Sequence, residues 1–353
     1  MITWLASKVL TGVISILQAT AFKLFSYSVE TKLNLKGNRM FLKQLEYLIA
    51  VIEEDHFGRA AARCNVKQPS LSNGIKQLEF ELGVTLFKRG RGQRLYGITQ
   101  EGERVAYWAR LILANCTAMR DNIAEMQDSL SGTIRLGAIP SMSPVLPIIL
   151  QRIRKAYPLV SVDVRFVGNN ELKTSLDNYS IDCAITYIDQ SDEMPWCEAL
   201  PIFEETWSLL VPDSFKFENM TEITWAEAAD LPLALLRQSM YERSVIDQTF
   251  TVAGKSVVPK IESESILHLM FQTQFTELCT VIPSHYTRMP GLYTGTKALL
   301  LKDPIIRKGI GLFWVKTETT IPVTKITEEV GRSLAKNNEL QNFLYHKATA
   351  LGS

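Results

Sequence analysis

At 353 residues the chain has room for two or three domains of roughly 150 residues each. Its 46% apolar and 21% charged residues exclude an intrinsically disordered or low-complexity polymer. The 38 basic and 37 acidic residues leave a net charge of +1, so any surface for nucleic acid must be local rather than spread along the chain.

Cys64, Cys116, Cys183, Cys197 and Cys279 are odd in number and form no C-x-x-C pair. That is the usage of free thiols in a reducing cytoplasm, not of a disulfide framework. His56, His268, His285 and His346 are scattered, which gives no metal-ligand spacing. No metal and no cofactor is expected.

Residues 1–39 hold an apolar run from Val9 to Phe22, interrupted by Thr11, Ser15, Gln18 and Thr20. It is too short and too polar to span a bilayer, and no small-residue cleavage site follows it. The segment reads as a weakly structured extension, or as sequence ahead of a true start at Met40. No membrane association is expected.

From Met40 onward, Leu42, Leu45, Leu48, Ile49 and Ile52 recur at three- and four-residue spacing, which predicts an amphipathic helix. A short helix follows through Arg59 to Cys64, then a tight turn at Asn65-Val66-Lys67. A third helix starts at Gln68-Pro69-Ser70, has Leu71, Ile75, Leu78 and Leu82 on its inner face, and is closed by Gly83. Proline is tolerated at the first turn and glycine at the end of a helix. Two short strands, at Thr85 to Arg89 and Arg94 to Tyr96, flank a glycine-rich turn and predict a wing. Thr99 then caps a long helix on which Val105, Trp108, Ile112, Met119, Ile123 and Met126 repeat at alternating three and four spacing, a seam for helix pairing. Residues 99–132 form this linker and dimerisation helix.

Beyond it, strands and helices alternate over residues 133–345. Strands are expected at Thr133 to Ala138, Val160 to Val167, Ile181 to Tyr187, Trp207 to Val211, Leu233 to Leu236 and Thr280 to Ile282, with helices between and at Glu328 to His346. Such alternation predicts parallel βαβ units.

A short helix, a turn and a second helix, within residues 40–98, form a helix-turn-helix, whose second helix presents its N-terminal side chains to the major groove. Gln68 suits an adenine edge. Ser70, Ser72 and Asn73 suit phosphates and base edges, and Lys67 and Lys76 can neutralise phosphates. The wing carries Lys88, Arg89, Arg91 and Arg94 without an acid, which fits DNA backbone or a narrow minor groove. A basic run alone is usually a solvated face; it is the ordered set that points to double-stranded DNA.

The segment Phe41 to Gly102 resembles the N-terminal domain of LysR-type transcriptional regulators. The matching residues are His56-Phe57-Gly58-Arg59-Ala60-Ala61, Gln68-Pro69-Ser70-Leu71-Ser72, Gln77-Leu78-Glu79, Leu82-Gly83 and Leu86-Phe87. By position the resemblance implies base and phosphate readers at Gln68, Pro69, Ser72 and Asn73, with a wing contact from Arg89 or Arg91. The chain departs from the family pattern at Lys67, Cys64 and Asn73 and in a longer wing. It also implies a two-lobed α/β effector domain like those of periplasmic solute-binding proteins, with effector contacts on Ser141, Asn169, Tyr187 and Ser263 or Ser265. Ser143 joins them because the loop Ile139 to Ser143 offers hydroxyls and helix N–H groups to an oxyanion. Ser141 and Asn169 serve equally well as helix caps. Phe275-Thr276-Glu277 stands where the family often has Gly-Leu-Gly.

The expected protein is therefore a cytoplasmic, non-enzymatic, sequence-specific DNA-binding regulator controlled by a small-molecule effector, with an organic anion among the candidates. Self-association to a dimer or tetramer and contact with RNA polymerase are implied. A redox regulator acting through Cys197, beside Trp196, is the alternative. An exported solute-binding protein is a more distant one. No catalytic set is present.

Overall fold

The computed structural model describes residues 42–89, 95–125, 131–217, 219–288, 295–316, 322–336 and 339–345. The chain divides into two compact units, residues 1–109 and 110–353, so the boundary falls inside the long linker helix.

The first unit contains helices α1 (Leu42–Glu54), α2 (Phe57–Arg63) and α3 (Gln68–Leu82), then strands β1 (Phe87–Arg89) and β2 (Leu95–Ile98). The strands pair antiparallel. The apolar spacing on α1 and α3 buries Leu45, Leu48, Val51, Leu71, Ile75 and Leu78 together, the outcome expected of a narrow apolar stripe on each helix. His56 caps α2, its Nδ1 accepting from the Gly58 and Arg59 N–H groups. Gly83 ends α3 in the left-handed conformation, φ 68°, at little cost for glycine. Two glycines mark close approaches: a Cβ on Gly74 would lie 2.7 Å from the Tyr47 ring, and one on Gly102 would lie 2.3 Å from the Leu86 carbonyl oxygen. Helix α4 (Gln100–Glu125) starts where Thr99 Oγ1 accepts from the Gly102 N–H at 2.9 Å.

The second unit is built on two sheets. One is five-stranded, in the order β4-β3-β5-β13-β6, from β3 (Gly132–Ala138), β4 (Val160–Phe166), β5 (Cys183–Tyr187), β6 (Cys197–Glu205) and β13 (Lys308–Val315). Helices α5 (Leu146–Ala156) and α6 (Asn169–Asp177) follow β3 and β4, and α10 (Pro322–Ala335) and α11 (Glu339–Tyr345) pack from the C-terminal end. The other is six-stranded, in the order β10-β9-β11-β7-β12-β8. Its strands are β7 (Trp207–Pro212), β8 (Glu222–Thr224), β9 (Leu233–Leu236), β10 (Ile261–Ser263), β11 (Cys279–Pro283) and β12 (Thr296–Lys302). It carries helices α7 (Trp225–Ala228), α8 (Tyr241–Val252) and α9 (Ile266–Phe275). Successive residues of β7 serve opposite faces: Leu209 joins Trp225, Phe250 and Leu299, whereas Leu210 joins Ile266, Met270 and Tyr286. Both faces of this sheet are covered, which is why its inner strands β7, β9 and β11 are buried along their whole length and read as mostly apolar runs.

The expected parallel units are present, with β3 flanked by β4 and β5. Each sheet is nevertheless mixed. β13 runs antiparallel to both β5 and β6, and β7 antiparallel to both β11 and β12. β6 and β13 were not anticipated, because β6 alternates exposed and buried residues and β13 returns to the first sheet after the whole second lobe. The C-terminal helical stretch is two helices, α10 and α11, rather than one. The chain passes from one lobe to the other between Glu205 and Trp207 and returns between Lys302 and Lys308. The strand ends at these crossings position the polar groups described next.

Candidate functional site

In the first unit the polar start of α3 faces solvent. Lys67, Gln68, Pro69, Ser70, Asn73 and Lys76 are exposed and Ser72 is half-buried. Lys67 sits at the cap position without a side-chain capping bond; Pro69 has no N–H and the Ser70 and Leu71 N–H groups donate to the Lys67 carbonyl, so phosphate contacts at this end fall to the exposed side chains. Arg89 lies on β1; its side chain, Arg91 and Arg94 lie outside the described residues. On α4, Trp108, Met119 and Ile123 are 60%, 59% and 53% exposed, while Val105 and Ile112 are half-buried and Met126 lies outside the described residues.

In the second unit a buried polar cluster lies where the two lobes meet. Glu205 closes β6, and its Oε1 accepts from the Tyr187 hydroxyl at 2.7 Å. Its Oε2 stands 3.7 Å from His285 Nδ1, and both residues are completely buried. His285 Nε2 lies 2.9 Å from the Ser141 carbonyl oxygen. A carbonyl only accepts, so Nε2 carries the proton and Nδ1 presents a lone pair. Glu242, the second residue of α8, is 4% exposed. Four polar atoms in this cluster lie beside one another without a hydrogen bond at bonding distance: Ser141 Oγ, Glu205 Oε2, Glu242 Oε1 and His285 Nδ1.

Burial governs their protonation. It pushes the Glu205 carboxyl up to about 8, helped by the Glu242 charge and opposed by the bond from Tyr187. It pushes His285 down to about 4, and it raises Glu242 as well. A neutral Glu205 can turn its O–H toward the bare Nδ1 of His285, whereas an ionised one would face a lone pair.

A cleft of about 770 Å³ opens beside this cluster, between the loops after β3 and β4 and the N-terminal end of α8. Its walls include Pro140, Asn169, Gln238, Tyr241, Glu242 and Glu264. The Tyr241 ring lies 4.6 Å from that of Tyr187, and its hydroxyl donates to Asp189. Lys308 Nζ bonds the same Asp189 carboxylate at 2.8 Å.

Of the six residues expected at an effector, Asn169 alone is in the cleft wall. Its Oδ1 accepts from Thr186 Oγ1 at 2.7 Å, and its Nδ2 is unpartnered. Ser141 and Tyr187 are fully buried one layer behind, because the β5 end points inward at Glu205. Ser143 is exposed and bonds the Pro140 carbonyl. Ser263 Oγ contacts His268 Nδ1, and Ser265 caps α9 through the His268 N–H. Glu205, Tyr241, Glu242 and His285 were not anticipated. One signal was available: Glu204 and Glu205 interrupt an apolar stretch from Ile202 to Val211.

The thiols are held back by the same physics. Burial pushes Cys197 up to about 11, only partly offset by the Lys316 charge, and pushes Cys183 and Cys279 up to about 12. Among the described residues no group could hold a metal ion, and no helix is long and apolar enough to cross a membrane.

A helix-turn-helix with a short hairpin, a long helix and a two-sheet α/β unit with a cleft between its lobes define a winged helix-turn-helix protein with an effector domain. The family description "Bacterial regulatory helix-turn-helix protein, lysR family" matches residues 42–103, and "LysR substrate binding domain" matches residues 127–326. The chain belongs to the LysR family. It is 31% identical over 198 residues to the hydrogen peroxide-inducible genes activator of Dickeya chrysanthemi, covering 56% of this chain and 64% of that one. To its namesake from Haemophilus influenzae it is 32% identical over 229 residues, 61% of this chain and 71% of that one. The matched stretch thus spans a little under two thirds of the former relative. Among solved structures, full-length OxyR from Pseudomonas aeruginosa superposes with a TM-score of 0.65 at 22% identity, over 84% of this chain and 98% of that one. CbnR complexed with its target DNA superposes with a TM-score of 0.61 at 20% identity, over 84% of this chain and all of that one. These two share the fold.

Proposed function

We propose that the chain is a cytoplasmic, sequence-specific regulator of transcription that binds double-stranded DNA through α3 and the wing and responds to a small molecule held between its effector lobes. The observation that carries this reading is the start of α3: seven polar or proline residues from Lys67 to Lys76 lie on its accessible side, over an apolar inner face. Gln68 is assigned to a base edge, Lys67 and Lys76 to phosphates, and Ser70, Ser72 and Asn73 to either. The linker helix pairs two copies through Trp108, Ile112, Met119 and Ile123, a reading supported by the exposed apolar side chains of Trp108, Met119 and Ile123. RNA polymerase is the expected downstream partner.

The test is fluorescence anisotropy on operator and scrambled duplexes at several salt concentrations. Gln68→Ala should weaken operator binding by on the order of 1–3 kcal/mol and leave scrambled DNA nearly unchanged. Equal weakening on both duplexes would remove α3 as the reader. Arg91→Ala should weaken both duplexes and reduce the salt slope by about one.

The second reading, redox sensing through Cys197, is favoured by the names of the relatives. Against it stands the protonated state of a buried thiol pushed up to about 11, since the thiolate is the reactive form.

A further inference from the structure

The cleft walls carry Glu171, Glu193, Glu242 and Glu264, and among the described lining residues there is no Lys, Arg or His. Two of the four acids are already neutralised from outside the cleft: Glu193 by Lys173 at 3.2 Å and Glu264 by Arg237 at 3.1 Å. Glu242 is different. It is 4% exposed, its Oε1 has no hydrogen-bond partner at bonding distance, and the Ser141 hydroxyl, likewise unbonded, is the neutral donor that acts on it. The neighbouring cations are committed elsewhere. Arg243 holds Asp247 and Glu262, and Lys308 holds Asp189. Across the cleft, Asn169 Nδ2 is a second orphan, and it is a donor.

Buried polar atoms in a folded protein are almost always paired, so two orphans of opposite character on facing walls describe the missing partner. It must donate to Glu242 and accept from Asn169, and the acids that line the cleft favour a donor carrying positive charge. We propose that the effector of this chain is a small organic amine bearing an acceptor oxygen, its ammonium seated against Glu242 and its oxygen on Asn169 Nδ2. This deepens the effector reading above and rests on it. It departs from the expected organic anion, for which the described lining offers four acidic side chains, two of them ion-paired, and no cation.

The alternative tenants fit less well. A carboxylate ligand would meet Glu242 and Glu171 without compensation. A neutral polyol could satisfy both orphans, but it would leave the acidic bias of the walls without purpose.

Binding should be coupled to a proton. Burial raises Glu242, and the groups facing it are acids or neutral rings: Glu205 from β6, Tyr187 from β5, Tyr241 on its own helix and Tyr286 after β11. His285, also in the cluster, is held neutral. Burial disfavours the charge on free Glu242 and an arriving ammonium favours it, so amine binding should shift Glu242 toward its ionised form and amine affinity should rise with pH.

Three four-carbon probes separate the cases: 4-amino-1-butanol, 1,4-butanediol and 4-hydroxybutyrate. Each keeps one hydroxyl and differs only in the charge at the other end. Isothermal titration on the full chain should rank the amine first, the diol second and the anion last. The apparent enthalpy for the amine should differ between phosphate and Tris buffers, reporting the released proton. Glu242→Gln should weaken the amine about tenfold or more and abolish the buffer dependence while leaving the diol unaffected. An anion that binds as tightly as the amine, equal affinities, or no binding by any probe would overturn the proposal, and the ranking on the unaltered chain needs no variant to fold. Operator binding measured beside it keeps the two readings apart: if the probes fail while the operator is still bound, the amine falls and the DNA-binding assignment stands.

Discussion

The DNA-binding head and the effector lobes use polar side chains in opposite ways. The head keeps its core apolar apart from Gln44 and turns Gln68, Ser70, Asn73 and Lys76 outward. The lobes bury Tyr187, Glu205, Glu242 and His285 at their junction. A solvated polar group costs nothing in stability and waits for its partner. A buried unpaired one is expensive to leave unmatched, so it changes protonation or recruits a ligand. Recognition in the head is therefore set by surface sequence. Recognition in the lobes is set by what the fold places together, and the four experiments below probe that contrast from the largest expected effect to the smallest.

Assembly comes first. Trp108, Met119 and Ile123 expose apolar surface along α4, and Ile112 lies on the same stripe. Ile112→Asp places a charge on that seam. It should convert the assembly to monomers in size-exclusion with light scattering. It should also lower affinity for a two-half-site operator by about a hundredfold or more, because the second half-site would no longer be reached at high effective concentration. An unchanged oligomer would show that the stripe packs elsewhere.

The head should also fail when its packing is violated rather than its surface. Gly102 sits against the Leu86 carbonyl oxygen, 2.3 Å from where a Cβ would stand. Backbone cannot rotate away as a side chain can, so Gly102→Val should destabilise the head by about 1–3 kcal/mol in denaturant unfolding. A variant as stable as the parent would mean that the start of α4 can shift away from β1.

Much of the head was legible in advance. The helix-turn-helix follows from apolar spacing on α1 and α3, the turn at Asn65 and the glycine at position 83, all of them local signals. In the lobes the local signals locate β3, β4, β5, β9 and β11, but not β13, whose neighbours in the sheet come from more than a hundred residues upstream. The site suffered the same fate. Nothing near Glu205 in the sequence says that His285, eighty residues later, will face it at 3.7 Å. The hydroxyls of Ser263 and Ser265 looked available, yet they are spent on the start of α9.

The buried cluster should leave a mark on the pH dependence of stability. Folded Glu205 keeps its proton up to about 8 against an ordinary 4.5. Between those values the folded chain binds more protons than the unfolded one, so stability falls as pH rises. Folded His285 stays neutral down to about 4 against an ordinary 6.5, so its contribution rises with pH between those values. The two oppose each other below 6.5; above it the histidine drops out and the raised buried carboxyls, Glu205 and Glu242, remain. Glu205→Gln keeps the shape and removes the titration. Denaturant unfolding from pH 6.5 to 8 should show a decline for the parent that is shallower in the variant, by up to about 1.4 kcal/mol per pH unit. Identical slopes would show that Glu205 is ionised in the folded chain.

The smallest expected effect is at Cys197, and it draws the sharpest line between the two readings of the lobes. The thiol is 7% exposed on the first residue of β6. Lys316 reaches it from the end of β13, as the pairing of Val315 with Cys197 requires, but that charge does not offset the cost of burial. At neutral pH the group is a thiol, and oxidation by peroxide proceeds through the thiolate. Among the described residues every cysteine is free, so Cys197 is also offered no second sulfur in a bond. Cys197→Ala removes one small buried group and should leave operator binding, with and without added peroxide, indistinguishable from the parent. Mass spectrometry of the peroxide-treated parent should find residue 197 unmodified while the native fold persists. A peroxide-dependent change in operator binding that disappears in Cys197→Ala would reverse the assignment: the buried thiol, not the cleft beside Glu242, would then be the place where the lobes receive their signal.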